Sequence, residues 1–247
     1  MPKVPFDYQS VAGDYQSRAM HTGLPMQRFW HKGKLIVWDE LILPLISGDP
    51  QYAIMEVGCG AGLLIEHLAH FSQMKIGVDI NFMSLKYLSN RFNEISTQGM
   101  FFSVSAFGEM LPFPDNYFEG LILSEVIEHL HDPMLILQEA YRVLRPGGWC
   151  YLTTPNYRSF WPVMEKILDF SGLTPSMSGS QHVFPLNQKK LMDLVKDWRI
   201  ELITSFYSLS PFISIFSEKS GIRLLRKECK LKSRWGMLLA CLVRKPI

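Results

Sequence analysis

Apolar positions along this 247-residue chain follow two different periods. The first long stretch, Gln27 to Ile46, places Trp30, Leu35, Trp38, Leu41 and Leu45 at mixed three- and four-residue steps, which predicts an amphipathic helix feeding the core. Beyond it come short, continuously apolar runs separated by helical spacing. Ala53 to Val57 reads as a buried strand, Gly62 to about Phe71 as a helix, and "MKIGVDI" as a second strand ending at Asp79. A helix from about Met83 to Ile95 aligns Leu85, Leu88, Phe92 and Ile95 on one side. "MFFSVSAF" and "YFEGLILSEV" predict a third and fourth strand. "PMLILQEAYRVL" predicts a helix stopped by Pro146, Gly147 and Gly148, ahead of a fifth strand, "WCYLTTP".

Strands that alternate with helices and are apolar along most of their length imply a parallel sheet covered on both faces, a doubly wound α/β fold. Ligands in such sheets sit outside the carboxyl ends of the strands, which puts the Gly58 loop, Asp79, the stretch Ala106 to Glu109, and Ser124 on one rim. The later sequence is less regular. Asn156 to Asn187 mixes aromatic anchors with a Ser/Gly/Pro segment, as a cover over the rim would. A helix at about Gln188 to Asp197, a strand at about Ile200 to Tyr207, a helical stretch near Ile213 to Lys227 and a last strand, "WGMLLACLV", complete the chain. The expected organisation is one domain: a helical cap over residues 1–48, a ligand-binding core over 50–157, a substrate-side cover over 158–187 and completion of the sheet over 188–247.

Composition narrows this picture. With 47% hydrophobic residues the chain can bury a full core, and a net charge of +2 gives no reason to invoke nucleic acid. Cys59, Cys150, Cys229 and Cys241 are scattered without a CxxC pair, so reduced thiols in a cytoplasm are the simplest reading. No stretch reaches the ~20 apolar residues of a membrane span, and the N-terminus lacks the apolar core of a secretory leader. A soluble protein is expected.

The rim carries the candidate chemistry. A dinucleotide fingerprint is G-x-G-x-x-G, but here the glycines are Gly58, Gly60 and Gly62, with Leu63 in the third fingerprint position. Glu56, at the end of the strand, would repel a phosphate and attract an ammonium group. A cationic, amino-acid-like ligand therefore suits this loop better than a pyrophosphate. Asp79 stands 21 positions after Gly58 at a strand end, where a carboxylate can accept both hydroxyls of a ribose or cap the next helix. Ile80 beside it can lie against an adenine face.

Taken together, "EVGCGAG", "GVDIN", "LPFPDNYFEGLILSEVIEHLHDP" and "EAYRVLRPGGWCYLTTPN" resemble, in order and spacing, the class I S-adenosylmethionine-dependent methyltransferases. The resemblance is closest to the small-molecule branch that includes ubiquinone-biosynthesis-type enzymes, and it covers about residues 50 to 157. It implies a Rossmann-like, seven-stranded, mostly parallel sheet with the last strand antiparallel, and S-adenosylmethionine as cofactor. It further implies that Gly58, Cys59 and Gly60 approach the methionine part, with Glu56 near its ammonium and Ser124 close by. Asp79 would hold the ribose and Ile80 the adenine. Family members usually carry an Asp where this chain has Phe107, so the adenine amino group is left to the backbone of Phe107 and Gly108, to Glu109, or to apolar contact alone. Glu119 and Gly120 at the start of the fourth strand are a milder departure, read as structural.

His129 and His131, with Glu125, Glu128 and Asp132, raise a metal site, but the two histidines fall at non-adjacent helical angles and no third lies near in sequence, so no metal is expected. The resemblance turns His129 toward the reactive end of the donor, where it would orient substrate or accept a proton; a satisfied buried histidine is the plain alternative. His182 is the other candidate base, or a loop histidine. His67 and His70 read as helix-surface residues. Tyr157, Phe160, Trp161, Phe170 and Phe184 suit an apolar or aromatic acceptor, or simply close a small core. Arg223, Arg226, Lys227, Lys230, Lys232 and Arg234 near the C-terminus form either a solvated helix face or a peripheral contact with an anionic membrane. The expectation is methyl transfer to a small or lipid-like acceptor at oxygen. A nicotinamide-dependent oxidoreductase and a non-catalytic binding protein on the same fold are the alternatives.

Overall fold

The computed structural model describes residues 6–46, 53–69, 74–94, 100–171, 181–231 and 233–247. His70, Phe71, Ile95, residues 172–180 of the expected cover, and Lys232 lie outside the described residues.

Two helices precede the sheet, α1 (Tyr15–Thr22) and α2 (Pro25–Val37). α1 buries only Ala19, so its sequence carries no apolar stripe to announce it. α2 is shorter than the periodicity predicts: the chain widens into a π turn at Trp38–Ile42 and a 3-10 turn at Leu43–Leu45. Pro44 has no N–H to give an α-helical acceptor, so the α path ends before it. Trp38 and Ile42 are still fully buried, which is why the apolar period runs on past the helix end.

The alternation that follows is β1 (Ala53–Val57), α3 (Leu63–His67), β2 (Met74–Asp79), α4 (Phe82–Glu94), β3 (Met100–Ser105), β4 (Phe118–Ser124), α5 (Pro133–Val143) and β5 (Leu144–Pro155). The helix before β5 ends at Val143, ahead of the proline and glycines, and Leu144 pairs with Phe118 before a register shift at Gly120. Glu119, 3% exposed in that bulge, is neutralised by Arg145. After β5 come α6 (Trp161–Ser171), α7 (Gln188–Leu194), β6 (Arg199–Phe206), α8 (Ser210–Phe216), α9 (Glu218–Leu231) and β7 (Leu238–Arg244).

The seven strands lie in the order β3-β2-β1-β4-β5-β7-β6, with β7 antiparallel to both of its neighbours. This is the Rossmann-like α/β sheet with an antiparallel last strand. One face packs Ile136, Leu137 and Ala140 of α5 and Leu191 of α7; the other packs Phe29 and Val37 of α2, Trp38 and Leu225 of α9. No helix among the described residues is long and apolar enough to cross a membrane. All four cysteines are buried and unpaired.

Candidate active site

The strand order reverses beside β1, and the loop leaving β1 opens at the carboxyl edge there. Its three glycines all take positive φ: 69° at Gly58, 50° at Gly60 and 74° at Gly62. Each lies where a side chain would collide. A Cβ on Gly58 would come within 2.5 Å of Val126, and one on Gly62 within 2.1 Å of Leu88. The loop is tied down from inside, with Gly58 N–H donating to Val78 O at 2.8 Å and Gly60 N–H to Asp79 Oδ2 at 2.7 Å. Asp79 Oδ1 accepts from Asn81 N at 2.8 Å, so each carboxylate oxygen keeps lone-pair capacity for a hydroxyl on the open side.

Glu56 and Cys59 lie behind this loop, outside the cavity lining. Glu56 Oε2 accepts from Ile65 N–H at 2.9 Å, at the start of α3. Burial pushes its carboxyl up to about 8, and the Ile65 N–H and the Lys34 charge only partly offset that. Burial likewise raises the Cys59 thiol well above its ordinary value.

A second set of groups gathers where β4 ends. Glu125 adopts φ 56° and receives Trp30 Nε1 at 3.3 Å and Lys34 Nζ at 2.5 Å, both from α2. Burial works to raise its pKa, but the Lys34 ammonium prevails and holds the carboxylate below its usual range. Glu128 is fully buried; its Oε2 accepts from Thr154 Oγ1 at 3.0 Å while its Oε1 has no partner. Burial lifts this carboxyl to about 7. The Glu128 carbonyl accepts from both Val183 N and Phe184 N at 3.0 Å, which pins the segment carrying His182 against the β4 turn.

Both histidines turn Nδ1 outward to acceptors. His129 Nδ1 lies 3.0 Å from Gln181 O, and His182 Nδ1 lies 2.5 Å from Glu165 Oε1 and 3.1 Å from Tyr157 Oη. A carbonyl and a carboxylate can only accept, so the neutral tautomer carries its proton on Nδ1 and leaves the Nε2 lone pair free. Burial, reinforced by the His182 charge, lowers His129 to about 4. Burial pulls His182 down as well, but Glu165 and Glu128 outweigh it and its pKa is raised. One ligand atom each from Glu128, His129 and His182 lie within 4.8 Å of one another. These three donors have the chemistry to hold a divalent cation or to share a proton. Sequence spacing does not reveal this group, because His182 arrives from the cover, 53 residues after His129. His131 is exposed, and Asp132 instead caps α5 by accepting from Met134 N at 3.0 Å.

The glycine loop, Asp79 and the histidine pair all border one cavity of about 670 Å³. Residues 55–152, from β1 through β5, match a family model described as a methyltransferase domain. A protein of Mycolicibacterium smegmatis described as a probable S-adenosylmethionine-dependent methyltransferase is 28% identical over 149 residues, 60% of this chain and 53% of that one. The mitochondrial ubiquinone biosynthesis O-methyltransferase of Rattus norvegicus is 31% identical over 125 residues, 48% of this chain and 36% of its own. A solved S-adenosylmethionine-dependent methyltransferase of Thermotoga maritima superposes with a TM-score of 0.65 at 17% identity, covering 96% of this chain and 97% of that one.

Over residues 55–152 this chain is similar to S-adenosylmethionine-dependent methyltransferases. It spans about half or less of the length of the curated relatives it matches. S-adenosylmethionine is the cofactor that the relatives' descriptions name, and the cavity fits it. A Cβ on Gly58 would collide with Val126 and one on Gly60 with Gln16, both in the cavity lining; Asp79 and Ile80 border the opening of β2, and Ser124 borders that of β4. Ser124 Oγ and Thr153 Oγ1 share a hydrogen bond of 3.1 Å. Phe107, Gly108 and Glu109 line the cavity at the end of β3, with the Phe107 side chain 62% exposed at its rim.

The cleft also has a roof that the sequence does not announce. Tyr8, Val11, Tyr15 and Gln16 line the cavity from above. Gln16 Oε1 accepts from Ala61 N at 3.1 Å, and Asn81 Nδ2 donates to Tyr8 O at 2.7 Å and Val11 O at 2.9 Å. Trp30, His31 and Lys34 of α2 close the far wall. His31 is buried with Nδ1 unpartnered, and burial beside Lys34 lowers it to about 3.

Proposed function

We propose that the chain transfers the methyl group of S-adenosylmethionine to a small, lipid-like acceptor at oxygen. The supporting observation is the continuity of the cavity: it runs from Gly58 and Asp79 to His182, and its far end is walled by Trp30, Trp161, Met164 and Leu168. Those apolar walls, with His31, Lys34, Glu125, Glu128, His129 and His182 as the polar groups among them, suit a largely apolar molecule with a polar reacting group.

Bound cofactor supplies a methyl group on a sulfonium, open to in-line displacement. The chain's part is alignment in a dry pocket, which can supply ~7–11 kcal/mol, more than the ~10²–10⁴-fold that a base adds. In this reading Asp79 holds the ribose hydroxyls. Ile80, the backbone of Phe107 and Gly108, and Glu109 border the adenine. Gly58, Gly60 and Ser124 face the methionine part, with Glu56 and Cys59 supporting the loop from behind. His182 Nε2 takes the acceptor's hydroxyl proton while Glu165 steadies the resulting imidazolium, and His129 orients the acceptor. Four buried thiols suit a reducing cytoplasm.

The test is incubation with tritiated-methyl S-adenosylmethionine and separate lipid and polar metabolite extracts. Label in the lipid fraction that survives mild alkali, as a methyl ether does, is the expected result. Label only in polar amines would overturn both acceptor class and atom. Tight cofactor binding without any label would favour the non-catalytic reading, for which the exposed Phe107 at the adenine rim is the specific observation.

A further inference from the structure

We propose that the outer faces of α6 and α8 form a surface that enters one leaflet of an anionic phospholipid bilayer. α6 is apolar on both sides. Its inner side, Trp161, Met164 and Leu168, lines the cavity. Its outer side carries Phe160, Val163, Ile167 and Phe170, exposed by 47%, 48%, 53% and 96%. Val163, Ile167 and Phe170 follow the four- and three-residue steps of one stripe. Lys166 and Asp169 separate the two apolar sides; the inner side already has its core, and the outer one has none to enter.

α8 extends the stripe. Phe160 and Phe212 meet edge to face with centroids 5.7 Å apart, and beyond them Ile213, Ile215 and Phe216 are exposed, Phe216 by 88%. An apolar area of this kind is unusual on a lone soluble protein and marks a docking surface.

Charge decides the occupant. Arg158 and Lys166 flank the stripe on α6, and Lys219, Arg223, Lys227 and Lys230 stand exposed on the neighbouring α9. None of these six makes an ion pair among the described residues, whereas Arg226 pairs with Glu40. From residue 207 to 231 the only acids are Glu218 and Glu228. Glu218 is held by Lys32 and Arg28. Glu228 is buried, accepting from Ser208, Leu209 and Ser210 N–H at the start of α8. The surface is therefore apolar with a rim in which six exposed cations outnumber one half-buried acid, Asp169 of α6, the chemistry of an anionic bilayer. A second copy related by a two-fold axis would set these cations against themselves. A nucleic acid would stack on Phe160, Phe170 and Phe216 but leave Val163, Ile167, Ile213 and Ile215 between them without a base-matching partner, whereas acyl chains cover both kinds. The apolar side of α9, Leu225 and Cys229, is buried in the core, so α9 contributes charge and the inserted part comes from α6 and α8. Where the acceptor is lipid-like, a point resting on the proposed function, docking here sets the bilayer one helix away from the cavity.

The test is co-sedimentation of the full chain with vesicles of phosphatidylcholine alone and of three parts phosphatidylcholine to one part phosphatidylglycerol. Binding to the mixed vesicles about tenfold or more tighter than to neutral ones is expected. The pair Ile167→Ser with Phe170→Ser should weaken it about tenfold, and Lys166→Glu with Arg223→Glu should erase the preference for anionic lipid. Calorimetric S-adenosylmethionine binding, unchanged in both variants, verifies their folding and is the separate test of the methyltransferase reading. No binding to either vesicle, or equal binding by the serine pair, overturns the proposal. So does a dimer in sedimentation velocity that the serine pair dissolves while vesicles are ignored.

Discussion

His182 Nδ1 and Glu165 Oε1 face each other at 2.5 Å, both side chains buried, and the bond joins the segment behind the active-site turn to the helix that roofs the acceptor end. The imidazole is thereby fixed in the tautomer that presents Nε2 to the cavity. Glu165→Gln keeps an acceptor for Nδ1–H but removes the charge that stabilises the imidazolium. It should lower the methyl-transfer rate by about tenfold or more, and His182→Ala by about 10²-fold or more, with the S-adenosylmethionine dissociation constant unchanged in both. Rates on the labelled lipid fraction, set beside calorimetry, check this. A weaker cofactor affinity in Glu165→Gln would mean that the pair shapes the donor end instead.

Asp79 is the counterpart at the other end of the cavity. Its two oxygens already receive Gly60 and Asn81 N–H, so Asp79→Asn disturbs both the loop and any ribose contact. Charge-assisted hydrogen bonds contribute about 1.5–3 kcal/mol each, which predicts S-adenosylmethionine binding weaker by 10-fold or more. Calorimetry with S-adenosylhomocysteine should show the same loss, since both carry the ribose. A loss confined to S-adenosylmethionine would place Asp79 near the sulfonium.

The glycine loop sets a stability prediction. Gly62→Ala puts a Cβ 2.1 Å from Leu88 at φ 74°, adding a core clash to backbone strain, and should cost about 2 kcal/mol or more. Urea unfolding would read this as a lower midpoint with unchanged slope. Gly62 precedes α3 and abuts Leu88 of α4, so the missing side chain lets the two helices pack closely.

Much of this was open to a reader of the sequence, for a physical reason. β1 and β4 are buried along nearly their whole length because both sheet faces cover them, and the glycine and Asp79 positions follow from where β1 and β2 stop. What escaped notice depends on contacts between distant polar groups. Gln16 reaches Ala61, Tyr8 and Val11 receive Asn81, and Lys34 reaches Glu125, and none of these pairings leaves a period. α6 escaped for the opposite reason: a helix apolar on two sides shows no amphipathic stripe, so its sequence reads as irregular cover. That no third histidine lies near His129 in sequence holds, but the fold brings His182 beside it from 53 residues away, on a segment that the Glu128 carbonyl anchors.

Glu56 yields the last prediction, in which the sign of a proton equilibrium separates two roles. The unfolded carboxyl ionises near 4.5, but the folded one holds its proton to about 8. Between those values the folded chain binds more protons, so this group's stabilisation is complete below about 4.5 and is lost as pH rises through about 8. Wild type should therefore lose melting temperature relative to Glu56→Gln as pH is raised from 5 to 8. If the methionine ammonium approaches Glu56 through the loop, its charge favours the carboxylate, and binding at pH 7 must expel that proton. The binding heat of S-adenosylmethionine should then vary with the ionisation enthalpy of the buffer, and the variation should vanish in Glu56→Gln. A binding heat independent of buffer in wild type would leave Glu56 as a cap for α3 alone.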